Sequence, residues 1–348
     1  MPQKERSLYL DILKAVCIIL VVFGHAMQYG SGMDYLRSGA FLYEPIFIFI
    51  YSFHMPLFML ISGFLFSHSA KTRTAKELLL SKGKQLVIPL FCWSFVTTAI
   101  QIIKILAGVS LHKLTFVWVC QTVLSAFWGG PWFLWALFLS SVLVIIGQKF
   151  LKDNALFYIL LCILSFVTPD AGNTAVYKFM FPFFLMGYLF HRCSLQAKLQ
   201  RIYQNKAFSF SVVILFALLL KRYNFDTYIY TSGYTLLGKN AVYQLHNNCF
   251  RFVIGLLGSI AAALVVHAFT EITPKAINKA LAYLGSCTLG IYVTSNYLFD
   301  EVLKYLPVAG LQYPYTVIET LCVLFLTVLA TWLLRKHRIT NKLFLGGR

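Results

Sequence analysis

Long apolar runs broken by short polar stretches set the character of this chain. Runs near 20 residues recur from end to end, the length an α-helix needs to cross a hydrocarbon core. About ten can be drawn on that criterion, over residues 8–28, 44–66, 85–107, 131–149, 155–169, 175–191, 207–222, 249–269, 281–299 and 314–334. The fifth to seventh are short and suit tilted or kinked helices. The apolar piece Leu114 to Trp128 is shorter still and runs into Gly129-Gly130-Pro131, so an interfacial or re-entrant segment is expected there. The first run is long for a signal-peptide core, carries Asp11, Lys14 and His25, and lacks a small-x-small cleavage site, so it reads as a retained helix. The expected fold is all-α: a polytopic transmembrane helical bundle, one membrane domain over residues 1–348 with no attached soluble domain.

Composition agrees. Hydrophobic residues make up 59% and charged residues only 12%, where a soluble domain carries about 25% charged residues. The net charge of +18 has a topological explanation that makes nucleic-acid binding unnecessary. Counted over alternate loops, twenty Lys and Arg fall on the side of the N-terminus, among them Lys71, Arg73, Lys76, Lys82 and Lys84, against seven on the other. The positive-inside rule then places both termini in the cytoplasm. The eight cysteines show no C-x-x-C pair, so they read as small apolar side chains rather than a disulfide or metal framework.

Chemistry concentrates on the first run. Lys14 and His25 are eleven residues apart, which on a helix puts them roughly 20° apart around the axis and about 16 Å along it. Asp11 lies near the same face, one turn before Lys14. Ionisable groups inside an apolar span are costly, so a stripe of three marks a polar path facing protein or water. A plainer reading of Asp11 and Lys14 is a local i,i+3 ion pair. His54 on the second run is either a buried hydrogen-bonding side chain or the partner of His25; histidine suits proton transfer near neutral pH. The longest external loop, about 223–248, is rich in tyrosine and carries Asp226 and Asn247. Such a surface suits a sugar acceptor, and equally an interfacial aromatic belt.

Several motifs resemble those of the acyltransferase-3 family of integral membrane acyltransferases, in particular its fucose 4-O-acetylase-like branch. Leu10-Asp11-Ile12-Leu13-Lys14, ten residues, then His25 is similar to the family's opening pattern. Ser52-Phe53-His54-Met55-Pro56-Leu57-Phe58 through Ser62-Gly63-Phe64 resembles its second helix. Further matches are Lys82, Lys84 and Ile88-Pro89, then Pro131-Trp132-Phe133-Leu134, then Phe181-Pro182-Phe183-Phe184-Leu185-Met186-Gly187-Tyr188, and finally Leu284-Gly285 through Gly290-Ile291-Tyr292. Two positions depart. Lys14 stands where many members carry arginine and lacks the bidentate fork, and Ser295 stands where members often carry histidine.

The resemblance implies transfer of an acyl group, usually acetyl, from cytoplasmic acyl-CoA to a hydroxyl of a cell-surface or lipid-linked glycan. The expected setting is a bacterial cytoplasmic membrane. Acyl-CoA is the donor substrate, with no permanently bound cofactor or metal expected; the partners are the glycan and membrane lipids. In this reading His25 is the general base, His54 orients the acceptor or stabilises the oxyanion, and Lys14 with Asp11 binds the donor. Lys71, Arg73, Lys82 and Lys84 meet the CoA phosphates or serve only as topology signals. Trp132, Asp226 and Asn247 line the acceptor side, Trp132 with packing as its competing role. Attack by histidine itself, through an acyl-imidazole, stays open. So does a transporter or flippase for a lipid-linked sugar or small polar solute, although no inverted repeat is visible and Asp11, Glu44 and Glu319 lie toward span ends. A non-catalytic binding member of the family is the third possibility.

Overall fold

The computed structural model describes residues 8–108, 114–193, 205–238 and 240–347. Lys4, Arg6, Lys113, Lys198, Arg201, Lys239 and Arg348, used above in weighing the two sides, lie outside them. Among the described residues the chain is helical, without strands. The helices are α1 (Leu8–Tyr29), α2 (Met33–Ser38), α3 (Pro45–Thr72), α4 (Ala75–Lys82), α5 (Ile88–Ala107), α6 (Phe116–Gly129), α7 (Trp132–Lys149), α8 (Ala155–Val167), α9 (Thr174–Arg192), α10 (Lys206–Leu220), α11 (Ile229–Ser232), α12 (Ala241–Ile272), α13 (Lys275–Ser286), α14 (Thr288–Glu301), α15 (Tyr313–Lys336) and α16 (Arg338–Leu345). Six helical stretches are long and apolar enough to cross a membrane: α1, α3, α4–α5, α7, α12 and α15. With the shorter apolar helices beside them, this is a multi-pass helical membrane protein.

Helix α1 runs through the middle, packed by α3, α12, α13, α14 and α15. Van der Waals packing holds such helices together, since lipid is as apolar as they are, so small residues mark the crossings. At the α3–α9 crossing a Cβ on Gly63 would fall 1.9 Å from the Phe184 carbonyl oxygen, and one on Gly187 would fall 2.0 Å from that of Leu60. The Ser62-Gly63-Phe64 and Met186-Gly187-Tyr188 motifs are thus two halves of one contact. Gly285 does the same for α13 against α1, where a Cβ would meet the Asp11 carbonyl oxygen at 1.8 Å.

The segment expected as one span over 281–299 is two helices, α13 and α14, parted at Cys287. Each face has its own neighbour: α13 docks on α1, while α14 also packs against α15. Between α4 and α5 a π-helical turn, Gly83–Val87, interrupts the α geometry. The piece over 114–128 forms α6, a 14-residue helix with no buried residue, lying against α5.

Candidate active site

Two recesses approach one another inside the bundle. The larger is a cavity of about 630 Å³. Lys14, Ile18 and Val21 of α1 line one side, Met55, Phe58 and Ser62 of α3 another, and Phe133, Leu134 and Leu137 of α7 a third. Gln85 and Leu86 enter from the π-turn, Ser286, Thr288, Leu289 and Tyr292 from the α13–α14 break, and Leu345 and Gly346 from the end of α16. Lys14, near the start of α1, and Gly346 thus share one end of the bundle. The smaller recess, about 30 Å³, is lined by Tyr51, Ser52, His54, Met55, Phe179, Met180, Tyr223, Thr227–Tyr230, Arg251 and Ile254. Met55 belongs to both walls. His54, its neighbour in sequence, faces the smaller recess.

His54 stands at this partition, while His25 lines neither recess. His54 Nδ1 lies 2.6 Å from the Ile50 carbonyl oxygen. A carbonyl only accepts, so Nδ1 carries the proton, and in the neutral ring Nε2 presents a lone pair. His25 Nδ1 is buried without a hydrogen-bond partner, its ring edge-on to Tyr29 (5.7 Å) and Phe299 (5.8 Å). Tyr51 connects them: its ring packs where a Cβ on Gly24 would sit, one residue from His25, and meets the His54 ring at 5.0 Å. His25 and His54 are close enough to interact electrostatically. Tyr51 is likewise within electrostatic range of Tyr29, Tyr223, Tyr228 and Tyr230, and it lines the smaller recess with His54, Tyr223, Tyr228 and Tyr230. That grouping brings together residues from α1, α3 and the 223–230 loop.

Lys14 lines the large cavity while its Nζ pairs with Asp11 Oδ1 at 2.6 Å. The other cations assigned to the donor do not reach the cavity wall. Arg73 Nη1 donates to Ser81 Oγ at 3.2 Å, the Lys82 ammonium sits 5.3 Å over the Phe66 ring, and Lys71 and Lys84 are exposed. The π-turn brings in Gln85 instead. An extra residue in one helical turn re-aims the side chains that follow, a shift that residue spacing alone does not reveal. Ser286, Thr288 and Gly346 were also unmarked in the sequence, because chain-distant elements bring them together.

On the other side, Trp132 is half-buried and edge-on to Tyr230 at 6.4 Å, while the next backbone N–H, of Phe133, donates to Tyr292 Oη at 3.4 Å. Asp226 and Asn247 hold the loop that precedes α12 and line neither recess. Asn247 Nδ2 donates to the Asp226 carbonyl at 2.5 Å, and Asp226 Oδ2 accepts from Tyr243 Oη at 2.8 Å. Arg251 organises this loop from beneath. Its Nε donates to Thr227 O at 2.7 Å, Nη1 to Gly233 O (2.7 Å) and Asn248 Oδ1 (2.6 Å), and Nη2 to Asp226 O (2.6 Å), Tyr228 O (3.2 Å) and Ser232 Oγ. With all its donors engaged, this buried guanidinium is a structural clamp. Ser295, in place of the family's histidine, is buried and donates to the Tyr292 carbonyl at 3.2 Å. Among the described residues no group of three or more His, Cys, Asp or Glu side chains is arranged to hold a metal.

Bundle and centre together define a multi-pass membrane protein with two recesses meeting at Met55, His54 on the smaller one and His25 within electrostatic reach of His54. Residues 7–336 match the family described as "Acyltransferase domain". The chain belongs to this acyltransferase-3 family of membrane acyltransferases. Nodulation protein NolL of Mesorhizobium japonicum is 30% identical over 187 residues, 53% of this chain and 48% of that protein. The NolL of Sinorhizobium fredii is 26% identical over 307 residues, 85% of this chain and 78% of its own length. The chain thus spans about half of the first relative and about three quarters of the second. No solved structure matches.

Proposed function

We propose that this protein is a membrane O-acyltransferase. It moves an acyl group, acetyl in the simplest case, from cytoplasmic acyl-CoA in the 630 Å³ cavity to a hydroxyl of a cell-surface or lipid-linked glycan in the tyrosine-lined recess. The observation that carries this reading is the Met55 wall shared by the two recesses, with His54 lining the smaller one and His25 within electrostatic reach of His54. Both termini then lie in the cytoplasm of a bacterial cell. The chain crosses the membrane about ten times, with α13 and α14 forming one broken crossing and α6 not crossing.

The step follows from the side chains. The unpartnered Nδ1 of His25 takes the proton of the acceptor hydroxyl as its oxygen attacks the thioester carbonyl. The tetrahedral intermediate collapses with cleavage of the C–S bond, and the imidazolium returns the proton to the departing CoA thiolate. The result is an ester and CoA thiol. Of the two roles open to His54, the Ile50 hydrogen bond favours one. Neutral His54 offers an acceptor at Nε2, which suits orienting a neighbouring sugar hydroxyl better than donating to an oxyanion. Lys14, its charge kept by the pair with Asp11, faces the donor.

A transporter is the second reading, and one observation favours it. Glu319 on α15 is buried with both carboxylate oxygens unpartnered, against Gly30 at the end of α1, the kind of intramembrane acid that couples transport to protons. Acyl transfer from radiolabelled acetyl-CoA to a cell-envelope glycan fraction, in membranes holding the protein, separates the two: label reaches the glycan only if the protein is an acyltransferase.

A further inference from the structure

The proton of neutral His54 is spent on Ile50, so the charge that builds on a thioester carbonyl oxygen during transfer needs another donor. The last residue of the Gly290-Ile291-Tyr292 motif is placed to supply it. Tyr292 is buried, 7% exposed, and lines the large cavity beside Thr288 and Leu289 of the same helix. Its ring meets that of Phe133 at 5.9 Å, and Phe133 meets Phe58 at 5.4 Å, so it stands against the α7 and α3 walls. It is also within electrostatic range of Tyr230, which lines the smaller recess. Tyr292 therefore lies on the side of the large cavity that faces the smaller one. Along α1 the lining positions Lys14, Ile18 and Val21 lead, four residues on, to His25 on the same helix face. Along α14, Phe299 lies two turns beyond Tyr292 and meets the His25 ring at 5.8 Å.

The hydroxyl is held by what it accepts. Phe133 is the second residue of α7, so its N–H is one of the donors that a helix leaves without an internal partner. That N–H donates to Tyr292 Oη at 3.4 Å. Asn296, one turn along α14, is the other hydrogen-bonding side chain at that hydroxyl, its amide able to donate to the second lone pair. An N–H only donates, so α7 engages the oxygen and leaves the hydroxyl proton to be given elsewhere. Hydrogen bonds received at an oxygen polarise its O–H and strengthen the bond it gives. The positive end of the α7 dipole acts in the same direction.

We propose that Tyr292 is the oxyanion donor of the transfer, its O–H bonding the thioester carbonyl oxygen in the large cavity. This rests on the acyl-CoA reading above. As the acceptor oxygen attacks, the carbonyl π pair moves onto that oxygen, where the Tyr292 O–H stabilises it. When the pair returns, the C–S bond breaks. Tyr292 keeps its proton throughout, and the acceptor's proton passes through His25 to the CoA thiolate. Tyr292→Phe keeps the ring against Phe133 and removes only the hydroxyl. In full-length protein in phosphatidylcholine nanodiscs, kcat with acetyl-CoA should fall about 10²–10³-fold, the loss when one oxyanion donor is removed. KM for acetyl-CoA, and CoA affinity by calorimetry, should stay close to wild type. Unchanged kcat, or a fall matched by an equal loss of CoA affinity, overturns the assignment. Capping α7 is the competing role, and it needs only the lone pairs of the oxygen. A difluorotyrosine in place of Tyr292 keeps ring and oxygen but makes the proton easier to lose, and serves also if Tyr292→Phe does not fold. Fluorine NMR reads the pH at which it ionises, and kcat should fall through that pH while wild type holds steady. A kcat level through that ionisation makes Tyr292 a cap and overturns the proposal. Wild-type protein that transfers no acetyl from acetyl-CoA defeats the donor reading and this proposal with it, a result distinct from the other failures.

Discussion

His25 and His54 differ in how much of their chemistry is already committed. Ile50 holds one nitrogen of His54 at 2.6 Å, whereas His25 Nδ1 has no protein partner. His25→Ala should therefore lower kcat by about 10²–10⁴-fold, the range of general-base catalysis, while His54→Ala should chiefly raise KM for the acceptor. Steady-state kinetics on both variants check this, and the opposite pattern would exchange the two roles. Lys14, His25 and His54 were legible in the sequence because a charge or imidazole stands out against an apolar helix. Gln85 and Ser286 were not, since ordinary polar residues gain meaning only from the π-turn and the Cys287 break that aim them inward. Asp226 and Asn247 show the converse. Their residue types suited a sugar, and their side chains hold the loop that precedes α12.

Among the elements, most of the motif glycines and prolines report crossings and helix breaks more than chemistry. Gly187→Leu should destabilise the protein by about 1–3 kcal/mol, the usual cost of overpacking, because its Cβ would fall 2.0 Å from the Leu60 carbonyl oxygen. Gly129→Ala, with nothing within 4 Å, should melt like wild type in detergent. The long helices were readable from apolar run length alone. The α13–α14 break was not, because Ser286-Cys287-Thr288 is apolar enough to continue a span and only the separate docking of the two halves parts them. The turn between α8 and α9 carries a pH-dependent tie to the loop that precedes α12. Burial pulls the Asp170 carboxyl upward, but the Lys178 ammonium at 2.7 Å and the N–H groups of Tyr234 (2.7 Å) and Thr235 (3.0 Å) outweigh it and hold it below its ordinary value. A depressed folded-state value means stability present above the unfolded pKa, about 3.9, and lost as pH falls through the lower folded one. The melting-temperature gap between wild type and Asp170→Asn should be widest at neutral pH and close on acidification below that point. A gap independent of pH would remove the ionised carboxylate from the explanation.

For the whole molecule, the proposed arrangement joins a donor site at the Lys14 end of one bundle to an acceptor site at the tyrosine end, with His54 lining the smaller recess and His25 within electrostatic reach of it. The chain belongs to the acyltransferase-3 family over residues 7–336. The meeting of the two recesses at Met55 supplies the two-sided arrangement, which no linear pattern displays because the larger recess alone draws its walls from six separate stretches of chain. The most direct measurement gives radiolabelled acetyl-CoA to the cytoplasmic face of inverted membrane vesicles and, separately, to the outer face of sealed right-side-out vesicles. Wild type and an equally abundant His25→Ala variant are compared in both. The expected result is label in the glycan fraction only with wild type and only from the cytoplasmic face. Label from the outer face alone, or label undiminished in His25→Ala, would contradict the arrangement.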